Sequence, residues 1–269
     1  MTRKRQAAPV KDAARYVEQL QVPDLEENAK RLGIRPRLFS RPAPSTVAAE
    51  TPSASLIKGQ VTAFTSALTG QDKQDVEYTT LAAQLNSDLV VKDDQSLNGM
   101  KAWFKNYASV MSNLGWVMSF DWEKYDAGSA GLTIDKVVLK ILAAVASQNG
   151  VAIAKAAMDA LGDLADDSGR LKLFSNSTMS NEAGKFLLSV ADKQGEAISM
   201  AFGAFAMDFK TRDTSVLWVH WKSSDVHLYR DQKVATFNQD YYAKGARSAL
   251  ETKMQGHAAT YVDDLDLGF

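Results

Sequence analysis

The chain contains no cysteine. That absence excludes disulfides, thiolate metal sites, iron–sulfur clusters and cysteine nucleophiles. A reducing compartment suits such a composition, although a chain without thiols also survives export. Histidine is scarce, with three in 269 residues, so imidazole-rich metal sites have little to draw on. An excess of either charge is missing as well. The 31 basic residues face 32 acidic ones, which leaves no global field to attract nucleic acid or anionic lipid.

Long apolar runs are also lacking. No uninterrupted stretch approaches the ~20 residues a transmembrane helix needs. The opening MTRKRQAAPVKDAARYVEQL is basic but has no apolar signal core. The expectation is a chain cytoplasmic as synthesised, whose export would need a route independent of such a signal.

Recognisable catalytic motifs are absent too. SNEAGKF lacks both the first glycine and the hydroxyl of a phosphate-binding P-loop, and no Gly-x-Gly-x-x-Gly, His-Glu-x-x-His or Gly-x-Ser-x-Gly occurs. The pairs Asp93-Asp94, Asp166-Asp167 and Asp263-Asp264 lack the alternating oxygen ligands and central glycine of a calcium loop. No catalytic residue, metal or cofactor is assigned, and an enzymatic reading has no motif to rest on.

Proline is absent beyond position 52. All six lie earlier, at Pro9, Pro23, Pro36, Pro42, Pro44 and Pro52. From Arg3 to Arg41 there are 10 Lys/Arg and 5 Asp/Glu, a local charge of +5. Residues 1–52 therefore read as a basic arm and linker with short helices near Val10–Leu20 and Leu25–Leu32. Such an arm suits binding to a neighbouring protein or self-assembly, because extended segments order on contact.

Residues 53–167 read as helical with one strand. Ser55 is expected to cap a helix carrying Ile57, Val61, Phe64 and Leu68 on one face. Further helices carry Tyr78, Leu81, Leu85 and Leu89, then Met100, Phe104, Tyr107, Met111 and Leu114. WVMSFDWE switches to two-residue alternation, which predicts a strand with Trp116, Met118, Phe120 and Trp122 on one side.

The most apolar segment follows, in residues 132–165. Val137, Val138, Ile141, Leu142 and Val145 form one helical stripe; Ile153, Ala157, Leu161 and Leu164 form another. The two are expected to join at a Gln148-Asn149-Gly150 turn. This amphipathic hairpin is ordinary core material or, given a trigger, a unit that moves from the core to a membrane.

Residues 168–269 read as an antiparallel β region with one late helix. Runs at Leu171–Thr178, Lys185–Ala191, Ala197–Phe209, Ser215–Lys222, Val226–Tyr229 and Lys233–Phe237 are strand-like and separated by turn signals. In SVLWVHWKSSDVHLYRD, a Ser223-Ser224 turn would place Trp218, His220, His227 and Tyr229 on one face as a binding surface. Opposed histidines suit a pH-sensitive pair, or a metal if further ligands exist.

The fold expectation is thus α+β, an N-terminal helical layer with an antiparallel C-terminal sheet or sandwich. The functional expectation is a non-enzymatic surface- or membrane-acting protein of toxin or effector type, with no specific nucleic-acid partner. The alternative is a structural or assembly subunit that uses its arm.

Overall fold

The computed structural model describes residues 10–37, 44–49, 51–91, 94, 96–125, 134–164, 169–178, 183–209 and 226–268. Among them one sheet runs through the middle of the fold. Its strands are β1 (Ser53–Ile57), β2 (Gln60–Phe64), β3 (Trp116–Val117), β4 (Glu123–Tyr125), β5 (Ala183–Gln194), β6 (Ala197–Phe209), β7 (Val226–Phe237) and β8 (Val262–Leu265). The order is β3-β7-β6-β5-β2-β1-β8, with β4 also on β7. Every pairing is antiparallel except β2 with β5. The protein is α+β, with a mixed sheet.

The helices are α1 (Val10–Gln19), α2 (Leu25–Arg31), α3 (Gly70–Val90), α4 (Leu97–Asn113), α5 (Ile134–Leu142), α6 (Gln148–Gly162), α7 (Gly169–Thr178), α8 (Gln239–Gly245) and α9 (Arg247–Tyr261). Strand alternation sends side chains to two separate cores. On β6, Ile198, Met200, Phe202, Ala204 and Ala206 join one core, with α1, α3, α4, α8 and α9. Ala201, Phe205 and Met207 join the other, with α5, α6 and Phe174 of α7.

Several starts are dictated locally. Thr69 and Asp72 form a reciprocal capping box on α3. Ser96 caps α4 and Asn238 caps α8 through their side-chain oxygens. Both expected arm helices form, and they are docked rather than solvated: Ala13, Val17, Leu20, Ala29 and Leu32 are buried.

Four expectations are corrected. The helix expected after Ser55 is the β1–β2 hairpin. Lys58 takes the left-handed conformation at its turn (φ 55°), and both faces of the two strands are buried, with Ile57 and Phe64 in one core and Leu56 and Val61 in the other. Burial on both sides erases the alternation that marks a half-buried strand. The strand expected at Leu171–Thr178 is α7, whose buried Leu173, Phe174, Ser177 and Thr178 share a helical face. The 116–123 strand is interrupted between β3 and β4, where Asp121 N donates to the Asp231 carboxylate at 2.7 Å instead of to a ladder carbonyl. Its aromatic row still packs inward, with Phe120 and Trp122 at 5.1 and 4.7 Å from the Phe104 ring. Finally, the runs at Val226–Tyr229 and Lys233–Phe237 belong to one continuous strand, β7.

Candidate functional site

The hairpin expected in residues 132–165 exists as α5 and α6, but it bends earlier than anticipated. Ser147 accepts from Gly150 N at 3.1 Å and caps α6, so Gln148-Asn149-Gly150 is the first helical turn rather than the connection. Serine outcompetes the Asn-Gly turn because its hydroxyl satisfies an otherwise unpaired N–H.

Val137, Val138, Ile141, Leu142, Ile153 and Leu161 are buried, and Val145 packs half-buried beside them. α6 lies over β1, β2, β5 and β8, and α5 lies over β5 and β6. Two glycines permit this close seating. A Cβ on Gly150 would stand 2.8 Å from Val190 Cγ1 on β5. One on Gly203 of β6 would meet the Phe205 ring at 3.0 Å and Ile141 at 4.0 Å. Gly203 therefore marks a close approach, within an unbroken ladder.

The attachment of this hairpin is apolar. Among the described residues, the hydrogen bonds and ion pairs of residues 134–164 all stay inside the segment. They are backbone bonds of the helices and turn, the Ser147 cap, and Lys155 Nζ to Asp159 at 2.5 Å on the solvent side. One buried oxygen, Asp135 Oδ1, has no hydrogen-bond partner. At 1.5 Å per residue, α5 and α6 are roughly 14 and 22 Å long, short of the ~30 Å hydrocarbon thickness. No described helix is long and apolar enough to cross a membrane.

The arm is held differently. Lys253 of α9 donates to Val17 O, Glu18 O and Leu20 O at 2.7, 3.1 and 2.7 Å. A lysine from another helix thereby satisfies the carbonyls at the end of α1. Burial pushes its ammonium pKa down. Asn86 donates to Gln21 O and Asn176 to Leu32 O, both at 2.8 Å. His257 Nε2 lies 3.0 Å from Pro23 O. The Arg37 guanidinium grips both oxygens of buried Asp263 at 2.5 and 2.9 Å.

Beneath α2 lies a charged cluster that sequence reading missed. The Asp88 carboxylate accepts from Trp103 Nε1 at 2.7 Å and faces Lys58 Nζ at 2.6 Å, Arg31 at 3.8 Å and Lys185 at 3.9 Å. Burial works against its charged form, yet the Lys58 and Lys185 ammoniums hold its carboxyl below the ordinary value. Burial pushes Lys185 down to about 8, helped by Lys58 and Arg31 and opposed by Asp88. These residues stand far apart in sequence, and none carries a local signature. The one hint is a lysine directly before a glycine, at Lys58-Gly59, inside an apolar run.

Of the expected binding face, Trp218 and His220 lie outside the described residues. The His227 backbone pairs with Asp208. Tyr229 is half-buried, with Lys101 Nζ 4.6 Å from its ring centre. It pairs with Ala206 on one side and Lys124 on the other, so both ladder edges at Tyr229 are filled by β6 and β4. No group of three or more histidine, aspartate or glutamate residues that could hold a metal occurs among the described residues.

No family model matches the chain, and no curated protein matches it. Among solved structures, a similar chain is titled "Structure of the Evf virulence factor". It is 13% identical, with 90% of this chain and 89% of that one covered and a TM-score of 0.35. A likeness that faint carries no argument about what this chain does.

Proposed function

We propose that the protein is a non-enzymatic, surface- or membrane-acting protein of effector type, whose α5–α6 hairpin moves from the sheet to a lipid interface. The carrying observation is the hairpin's purely apolar attachment among the described residues. Lipid offers apolar side chains an environment like a core, whereas it cannot replace lost hydrogen bonds. An element seated without them can change partners at low polar cost.

The geometry favours lying in the interface over spanning. Both helices are too short to span, and each pairs an apolar stripe with lysines on the outside: Lys136 and Lys140 on α5, Lys155 on α6. Burial of each large apolar side chain is worth about 1.5–3 kcal/mol, so release into water is prohibitive. If the hairpin hinges open, its stripe and the uncovered sheet face (Leu56, Val61, Phe186, Leu188, Val190, Phe205) both present apolar surface to one bilayer.

The cysteine-free background gives a direct test. A Cβ on Gly150 would lie 3.5 Å from Val190 Cβ, inside the range a disulfide bridges. In Gly150→Cys/Val190→Cys, oxidation should pin the bend of the hairpin to β5. Dye release from anionic and neutral liposomes at pH 7.4 and pH 5 is expected from the wild type and the reduced variant, and not from the oxidised one. Release that is equal in both redox states, or absent from the wild type throughout, would overturn the reading.

A further inference from the structure

We propose that the junction between α2 and the end of α3 binds a small oxyanion-bearing molecule of phosphate or carboxylate type. Three cations, Arg31, Lys58 and Lys185, share the single carboxylate of Asp88. Lys30, Asp24 and Glu27 line the adjoining cleft, so four cations face three carboxylates and the local excess is one. The Lys58 side chain is only 2% exposed and that of Lys185 is 21% exposed. Charges so placed are ordinarily paired one to one, because desolvation without a partner is costly.

Asp88 cannot serve all three equally. Its near contacts are Trp103 and Lys58, which leaves Lys185 nearly 4 Å away and standing over the Trp103 ring at 5.0 Å. Among the described residues, no hydrogen-bond acceptor reaches the Lys185 ammonium. The electrostatic deficit is that of one anion.

Space for it adjoins the cluster. A cleft of about 720 Å³ has Arg31 and Asp88 on its wall, with Val22 and Leu89 as apolar sides and Lys30 as a further cation. That size suits a small ligand. Asp24 and Glu27 also line it, and their carboxylates disfavour a polyanion such as nucleic acid. The selected ligand is compact, with one anionic group set against Arg31 in the field of Lys58 and Lys185.

Because Arg31 belongs to the arm and Asp88, Lys58 and Lys185 to the body, the occupant also tightens the arm. Binding should weaken as Lys185 loses its proton, near pH 8. Of its neighbours, Asp88 is held ionised by the Lys58 and Lys185 ammoniums, and burial raises the Tyr261 phenol to about 12.

The test is calorimetric titration of the full chain with inorganic sulfate, an oxyanion whose charge is constant over the pH range used, against chloride at matched ionic strength. Saturable binding is expected at pH 7, with affinity about tenfold or more lower at pH 9.5 and in Lys185→Met and Arg31→Met. Both variants keep the Asp88–Lys58 pair, and Arg31 is surface-exposed, so at least one retains the fold. Heats no different from dilution at pH 7, or an affinity indifferent to pH and to both substitutions, would overturn the site.

Discussion

The arm and the hairpin are both helical pairs laid against the same body, yet they adhere by opposite means. The arm inserts a few apolar residues and is then clasped by Lys253, Asn86, His257, Asn176 and Asp263. The hairpin inserts a continuous stripe and, among the described residues, has no polar contact with the body. The lesson concerns where each can go. Directional bonds fix register and orientation but bind the arm to one partner. Apolar contact is stronger in total and indifferent to what lies opposite.

The contrast can be broken most forcefully at Leu142. Leu142→Ala removes a fully buried side chain beneath the hairpin and should lower unfolding free energy by about 2–5 kcal/mol in a urea titration. Hydrogen exchange should quicken first in residues 134–162, while the arm stays protected. Simultaneous loosening of both would mean they are one cooperative unit.

Alkaline titration acts on the arm's side. Between about pH 8 and pH 10 the unfolded chain keeps the Lys185 proton that the folded chain has released, so stability rises with pH. The expected gain is roughly 2–3 kcal/mol. Above pH 10 the trend reverses, because burial raises the phenols of Tyr16 and Tyr261 to about 12, and the unfolded chain loses those protons first. Urea midpoints from pH 7 to pH 11 should trace a maximum, and Lys185→Met should remove most of the ascending limb, leaving the part due to Lys253, whose pKa burial also lowers.

The smallest effect is expected at the clasp. Lys253→Met leaves three carbonyls of the arm without their shared donor and should cost about 1–3 kcal/mol. Limited proteolysis should then cut between Val10 and Asp24 sooner, with the hairpin unchanged. An arm equally resistant after the substitution would show that its apolar anchors suffice.

Much of this architecture was legible in the sequence where one face is buried and the other wet. The periodicity of α4, α5 and α6 belongs to that class, whereas β5 and β6, buried on both faces, were legible from the turn signal between them. Legibility failed where two-sided burial came without such a signal. In β1 and β2, residues on both faces are apolar, and the spacing of Ile57, Val61, Phe64 and Leu68 imitates a helix. It failed again where one side chain redirects the chain: Asp231 interrupts a ladder and Ser147 moves a bend. The hairpin's stripe was visible as periodicity, but its lack of polar ties is a tertiary fact. The cluster at Asp88 gathers residues 31, 58, 88 and 185, and no local pattern links those positions.

The one parallel pairing among the described strands bears on biogenesis. β1 and β2 stand inside the sheet, yet both their neighbours, β5 and β8, come from the last third of the chain. While the ribosome is still making residues 65–182, that hairpin has two open edges and nothing to complete them. Ladders closed over such separations form slowly, and open edges invite pairing with the wrong chain. The nascent protein must therefore wait for Val262–Leu265 to emerge before its sheet can be finished, and a chaperone that shields β1–β2 during that interval would raise the folded yield more than one acting later.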